Sequence, residues 1–282
     1  MSKILGIVSS YYPDIQEFVK NINTYLDQLD LLIIWENTPE LESKIDEILP
    51  LINSDKIIVS TTGFNEGLGM PFNEAAKKAE KEKFDFLLTM DQDSYFAKSE
   101  FEKYINLIRS DINTNVAVYS PNRNIIFNNE KDFVEVRTAI SSGSIYPVRN
   151  FAKTGYFRED FFLYMIDIEY CFRARSKNLI TVCLPAVSLL HKEGYAEKSN
   201  FGLFLNNYSA QSTYYIIRNS LLTWKLYPEY TTRQDKIYFY KYKVIYRLLK
   251  ILFEKQPFMK IKALIFGLLH GIKFKTNQYN LF

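Results

Sequence analysis

The sequence predicts an α/β protein, a mostly parallel sheet with helices on both faces, followed by a C-terminal helical extension. Three observations predict it. Short apolar runs recur in the first third, and segments with helical spacing separate them, as in a parallel sheet covered on both faces. Each run ends in polar, loop-forming residues. The charge balance then shifts near Trp224: 12 Lys and Arg stand against 3 Asp and Glu from Lys225 onward, whereas the first 224 residues carry 23 and 29. The expected domains are 1–224 and a basic, aromatic helical extension, 225–282.

The elements follow in order. KILGIVSS (Lys3–Ser10) reads as a buried strand. Asp14–Gln28 places Ile15, Phe18, Val19, Ile22 and Leu26 at helical spacing. LLIIWEN is the second strand. PELESKIDEIL reads as a helix starting at Pro39, with Leu41, Ile45 and Ile48 on one face. KIIVST is the third strand, and the helix PFNEAAKKAEKE follows a Gly-containing loop. FDFLLTM, the fourth strand, ends on Asp91 and Asp93. Farther on, VAVYSP is a strand, Ser141–Gly143 a bend, and DFFLYMIDIEYCFRARSKN a helix from about Tyr164 that Asn178 can cap. LITVCLPAVSLLHKEG reads as a strand, a break at its proline, and a second short strand ending at His191.

The chain of 282 residues is 47% hydrophobic, enough for a sizeable core. Its start lacks the pattern of a signal peptide, and Cys171 and Cys183 have no metal-ligand spacing, so a reduced cytoplasmic protein is expected. NEGLGMPFNEAA (Asn65–Ala76) is neither a Walker A loop nor G-x-G-x-x-G. The acidic N-terminal body carries no nucleic-acid-binding motif, and nucleic acid is excluded as a partner.

In a parallel sheet, ligands bind beyond the carboxyl ends of the strands. That edge would hold Tyr11–Asp14, Glu36–Asn37, Thr62–Gly69 and Asp91–Asp93. Two carboxylates separated by one residue either close a strand or offer oxygen ligands to a hard divalent cation. The pattern alone leaves both open. Asp167 and Glu169 stand about 200° apart on a helix, so only one can face a given pocket directly. They suit either a helix N-terminus or a general base. His191 is either structural or a metal ligand, and His270 belongs to a helix face.

Taken in order, SSYYPD, IIWENTP, NEGLGMPFNEAA, LLTMDQDS, AISSGSIYP, GYFREDFFLYMIDIEYCFRAR, LLHKEG and YYIIRN resemble family 2 glycosyltransferases of the GT-A fold, especially the rhamnosyltransferase-like branch. The resemblance runs from about Lys3 to Tyr227. It implies that Tyr11, Glu36, Asn65 and Asp91 surround the nucleoside of a nucleotide-sugar donor. Asp93 would bind Mn²⁺ or Mg²⁺, with His191 as a further ligand. Ser142, Gly143 and Ser144 would face the donor sugar, and Arg218 the leaving diphosphate. Asp167 matches the family's catalytic base, with Glu169 and Arg173 on the acceptor side. Glu36 departs from the aspartate common there. The expected reaction is inverting transfer of a sugar, with dTDP-rhamnose the first donor to consider, to a lipid-linked cell-surface glycan. The competing activities are a sugar-nucleotide pyrophosphorylase, against which SSYYPD argues, and a non-catalytic binding homologue.

The basic tail is expected to form one helix over 236–253, with Lys236, Lys243, Arg247 and Lys250 on a stripe and Ile237, Val244, Leu248, Ile251 and Leu252 opposite. The uncharged run in MKIKALIFGLLHGIKFK is too short to cross a bilayer, which takes about 20 residues. The tail is expected to rest on the anionic inner face of the cytoplasmic membrane. The alternative is packing on the body, with a homodimer through these helices.

Overall fold

Strand and helix alternate as expected from the first residues. The structure, a computed structural model, describes residues 2–123, 125, 131–191, 197–198, 204–205 and 207–274. Strand β1 (Ile4–Ser10) is buried along its whole length. Helix α1 (Ile15–Ile22) starts where the Asp14 carboxylate accepts the Glu17 N–H, and it buries Phe18 and Ile22. Strand β2 (Leu31–Glu36) follows. The segment read as one helix from Pro39 is instead a short 3₁₀ turn, the single turn α2 (Ile45–Ile48) and a second 3₁₀ turn through Pro50. Only Ile48 of its predicted face is buried, and Leu41 is fully exposed. Leu49 stays in the α region, Pro50 sits at the start of the second 3₁₀ turn, where its missing N–H costs no helical bond, and the run ends at Ile52, which is extended.

Strand β3 (Ile57–Thr61) leads to α3 (Gly69–Lys81), which buries Phe72, Ala75, Ala76 and Ala79, and then to β4 (Phe86–Asp91). These four strands lie parallel in the order β3-β2-β1-β4. Beyond β4 the sheet turns mixed. Only Gln92 and Asp93 separate β4 from β5 (Ser94–Phe96), too few for a parallel crossover. After α4 (Glu100–Ser110) come β6 (Val116–Asn122), β7 (Val134–Val136), β8 (Ser144–Pro147), α5 (Phe151–Thr154), α6 (Ile166–Ser176) and β9 (Ile180–His191). Strand β8 is antiparallel to β4 and β6, whereas β6 and β9 are parallel. Both β5 and β7 pair antiparallel with β9.

Strand β9 runs past the predicted break at Pro185. The interruption survives as a register shift, with Pro121 opposite Leu184 and Asn122 opposite Ser188. Helix α6 starts two residues later than expected, and Asn178 closes its end at φ +55°. The core gathers Val8, Ile34, Leu88, Met90, Val116 and Leu184 from the sheet with Phe18, Phe101 and Tyr104 from helices.

The chain divides into two compact units, Met1–Asp160 with Ile166–Lys192, and Phe161–Met165 with Glu193–Phe282. In the second, α7 (Ala210–Leu226) runs uninterrupted across Trp224, so the change in charge balance falls inside a helix. It is followed by α8 (Arg233–Tyr238), a π-helical stretch (Phe239–Ile245), α9 (Tyr246–Ile251) and α10 (Pro257–Lys273). A Cβ on Gly267 would lie 2.9 Å from the Tyr214 carbonyl oxygen, and one on Gly271 would lie 2.8 Å from Leu221 Cβ. Glycine at both sites lets α10 lie close against α7. Ile217, Leu221, Phe239, Ile251 and Leu264 form this unit's core.

The expected single helix over 236–253 is thus interrupted by the π-helical stretch, which changes the phase of everything after it. Arg247 leaves the predicted basic stripe and is buried against Glu254 at 2.5 Å, with Lys260 on the other oxygen at 2.8 Å. Of the predicted apolar side, Ile251 is fully buried in this unit's core, whereas Ile237, Leu248 and Leu252 are exposed.

Candidate active site

The carboxyl ends of β1, β2 and β4 carry the residues that the sequence assigns to that edge. After β1 the chain exposes Tyr11 and Tyr12, whose rings meet edge to face at 4.7 Å. Gln92 holds this turn to the end of β4. Its Oε1 accepts the Tyr11 N–H at 2.7 Å, and its Nε2 donates to the Tyr11 carbonyl at 3.2 Å. At the end of β2 the Glu36 carboxylate is buried and turned onto its own chain. It accepts from the Thr38 N–H at 2.7 Å and lies 3.4 Å from the Ser10 hydroxyl.

Asn37, beside it, fixes the Gly-containing loop. Its Nδ2 donates to Ser9 Oγ and to the Gly67 carbonyl, and its Oδ1 accepts the Glu66 N–H. Asn65 closes a local turn by accepting the Gly67 N–H at 2.9 Å.

Three side chains on this edge form one potential ligand set. The ligand atoms of Asp91, Asp93 and His191 all lie within 4.8 Å of one another. The β5–β9 ladder makes this possible, because it sets Ser94 opposite His191. His191 Nδ1 lies 2.9 Å from Ser94 Oγ and 3.2 Å from Asp93 Oδ1. Asp93 Oδ1 is buried without a hydrogen bond, the imidazole approaching it outside hydrogen-bond geometry.

Burial, together with the charge of Asp93, pushes the Asp91 carboxyl up to about 6. The Asp93 carboxylate raises the His191 imidazole against the opposing effect of burial. Two carboxylates and an imidazole, with one buried carboxylate oxygen that accepts no hydrogen bond, are a fitting donor set for Mn²⁺ or Mg²⁺. Lys192, Glu193 and Gly194, which follow the histidine, lie outside the described residues.

The Ser141–Ser144 turn braces β4. Thr89 Oγ1 donates to the Ser141 carbonyl, the Gly143 N–H donates to the Thr89 carbonyl at 2.8 Å, and the Asp91 N–H donates to Ser142 Oγ at 3.2 Å. Ser142 and Ser144 are fully buried. Gly143 has φ +76°, and a Cβ there would lie 2.9 Å from both Leu189 and Pro121 side-chain atoms. Both facts require glycine.

The same turn meets Asp167 in the first turn of α6. The Ser141 N–H donates to Asp167 Oδ2 at 3.1 Å, and the Ile168 N–H donates to Oδ1 at 2.8 Å. Burial raises this carboxyl above the ordinary carboxylate range, although those N–H groups and the Arg123 charge oppose the shift. Glu169, two residues on, goes elsewhere. It is fully buried and paired in bidentate fashion with Arg173, at 3.0 and 2.9 Å. Arg173 also donates to the Thr154 and Tyr156 carbonyls. This pair braces the interior behind α6.

Arg218 lies on α7 in the second unit. Its guanidinium stands over the Tyr215 ring at 4.9 Å, and its Nε donates to Asn219 Oδ1 at 2.8 Å. The sequence reading placed Asn37 and Gln92 on this edge without giving either a role, and it passed over Arg123. Arg123 follows β6, and its positive charge acts on Asp91, Asp167 and His191 together. A cationic residue just past the carboxyl end of a strand was the available signal.

Known proteins resemble this chain at several distances. The dTDP-rhamnosyl transferase RfbF of Shigella flexneri is 22% identical over 242 residues, covering 78% of this chain and 79% of that protein. Two solved structures share the fold. The mannosyltransferase PcManGT of Pyrobaculum calidifontis, in complex with GDP-Man and Mn²⁺, has a TM-score of 0.55 at 12% identity, covering 98% of this chain and 76% of that one. Residues 1–349 of S. aureus TarS, in complex with UDP-GlcNAc, have a TM-score of 0.53 at 16% identity, covering 98% and 77%. The family model of glycosyl transferase family 2 matches residues 11–174, from the tyrosine turn into α6, and the chain therefore belongs to that family of glycosyltransferases.

Proposed function

We propose that the protein is a metal-dependent, inverting glycosyltransferase that moves a sugar from a nucleotide-sugar donor, dTDP-rhamnose first, to a hydroxyl of a growing, lipid-linked cell-surface glycan. The observation that carries this reading is the Ser141–Ser144 turn. Through two adjacent residues it accepts the Asp91 backbone N–H, at Ser142 Oγ, and donates to the Asp167 carboxylate, from the Ser141 N–H, joining a potential cation site to a potential base. Asp91, Asp93 and His191 would hold Mn²⁺ or Mg²⁺. When bound, the ion supplies positive charge for the diphosphate leaving group.

Tyr11 and Tyr12 offer exposed rings to the nucleoside, and Asn65 shapes the loop beside them. Asp167 would take the proton of the acceptor hydroxyl as that oxygen bonds to the anomeric carbon. The bond to the diphosphate breaks in the same step, and one displacement inverts the anomeric centre. A raised proton affinity suits a base that must accept a proton near neutral pH. Glu169 and Arg173 act as an internal brace behind this carboxylate. Arg218 is the candidate for a contact with the leaving diphosphate. The Shigella relative supports rhamnose as the sugar to test first.

The second unit supports a membrane-facing role. Phe258, Lys262, Ile265, Phe266, Leu269 and Ile272 follow one exposed stripe of α10. Exposed Lys236, Lys241, Lys255 and Lys273 lie along the same segments. Among the described residues, no helix is long and apolar enough to cross a membrane. A surface of this kind would rest on the cytoplasmic leaflet and bring the site to a lipid-linked acceptor.

A thermal-shift screen of nucleoside diphosphates and sugar nucleotides, with Mn²⁺ and with EDTA, tests the reading. A metal-dependent rise in Tm with one nucleotide family is expected. No shift with any of them would contradict it.

A further inference from the structure

The chain reaches Asp167 through a loop held in an unfavourable conformation. Phe162, Tyr164 and Met165 have φ of +59°, +62° and +65°. This left-handed region disfavours residues with a Cβ, and such outliers persist only where their surroundings fix them. Met165 is followed directly by Ile166 and Asp167, the first two residues of α6.

One side chain grips this loop. Asn219 is fully buried on α7, and its Nδ2 donates to the carbonyls of Phe161 at 2.8 Å, Leu163 at 2.8 Å and Tyr164 at 2.9 Å. Two amide hydrogens are thus shared among three acceptors. The other end of the amide is fixed as well, since Oδ1 accepts from Arg218 Nε at 2.8 Å. That contact sets the orientation of the amide, with nitrogen toward the loop. Phe162 adds a stacked contact with Tyr215, the ring centroids 5.0 Å apart.

We propose that Asn219 is a positioning residue for the catalytic carboxylate. It locks the left-handed loop 161–165 and thereby sets the direction in which the chain delivers Asp167. The inference rests on the reading of Asp167 as the base. The carboxylate orientation depends on two backbone N–H groups, those of Ser141 and Ile168. A change of sign in φ at Met165 would redirect the chain just before that geometry is set. A buried asparagine in mid-helix is otherwise a poor choice, because its amide must be fully bonded to be tolerated there. Three strained residues in four positions place the cost of this loop next to the reacting group.

The test uses the full chain and the release of dTDP from dTDP-rhamnose with Mn²⁺, or from whichever sugar nucleotide stabilises the wild-type protein. Asn219→Ala is expected to lower kcat at least tenfold, while the donor KM and the Mn²⁺-dependent affinity for dTDP stay within about threefold. Adding Met165→Gly in that background should recover a several-fold part of kcat, because glycine takes positive φ without penalty. If Asn219→Ala does not fold, Asn219→Gln, whose amide is displaced by one methylene, carries the same expectation. Unchanged kcat, or a fall in which KM and Tm move together and glycine restores nothing, would overturn the inference. Asp167→Asn run in parallel separates the failures. If it abolishes turnover while the Asn219 variants do not, only the positioning role is lost. If it leaves turnover intact, the assignment of the base is lost first.

Discussion

The Gln92 side-chain amide pairs with both backbone polar groups of Tyr11, in the manner of a strand partner. The residue between the two aspartates thus ties the Tyr11 turn to the proposed cation site. Hydrogen bonds of this kind contribute about 0.5–1.5 kcal/mol each. Gln92→Ala is expected to lower Tm by a few degrees and to weaken dTDP binding by about 3–30-fold in calorimetry. An affinity equal to that of the wild type would show that the turn holds itself.

The pH dependence of cation binding follows from Asp91. Its folded value of about 6 stands above the ordinary 3.8 because of burial, and then because of the Asp93 charge. A raised carboxyl stabilises the folded, metal-free protein at low pH, and that contribution is lost as pH rises through about 6. The deprotonated form is the one that can ligate. Mn²⁺ affinity should therefore drop as pH falls from 7.5 to 5.5, and the rise in Tm on adding Mn²⁺ should be larger at pH 7.5. Asp93→Ala should remove both effects. An Mn²⁺ response in that variant equal to the wild type's would take Asp93 out of the site.

Much of this edge was legible because strand ends announce themselves: continuous apolar runs that stop at Tyr11, Glu36 and Asp91 fix where side chains emerge. The pairing of β5 with β9 was not legible, because it joins residues nearly a hundred positions apart, and it is what brings His191 to Asp93. Glu169 illustrates a second limit. Spacing showed that it and Asp167 face different ways, but only packing reveals that Glu169 turns inward to Arg173. In the tail, a uniform 100° per residue cannot anticipate a π-helical stretch, which is why Arg247 was placed on the wrong side. The deep burial of Glu36 was equally hidden, since a strand-end carboxylate reads as available until its own chain folds back onto it.

Glu254 lies between Arg247 and Lys260 with no exposed side-chain surface. Removing the anion of a buried ionic cluster leaves cations desolvated and unpaired, at a cost of about 3–5 kcal/mol. Glu254→Ala should lower Tm markedly, whereas Glu74→Ala, which breaks an exposed pair with Lys77, should stay within about 1 kcal/mol. Comparable effects from the two would mean that the cluster is wet in solution.

Sedimentation with vesicles tests the α10 stripe. Vesicles rich in anionic lipid should carry the protein down at low salt, and Phe266→Asp with Ile272→Asp should leave it in the supernatant. If the wild type stays in solution and is instead a dimer that the same substitutions dissociate, the stripe joins two copies of the chain and does not meet lipid.

Turnover of dTDP-rhamnose by the wild type and by Asp167→Asn, with Mn²⁺ or with EDTA, tests the central claim most directly. Release of dTDP, followed by ³¹P NMR, should require the ion and fall by about 10²–10⁴-fold in the variant, which should still bind dTDP as tightly as the wild type. Because burial raises Asp167, its protonation adds to the acid limb of the wild-type rate, and Asp167→Asn should leave only the limb that follows loss of Mn²⁺ through Asp91. Release that persists in EDTA, or that is unaffected by Asp167→Asn, would contradict the account.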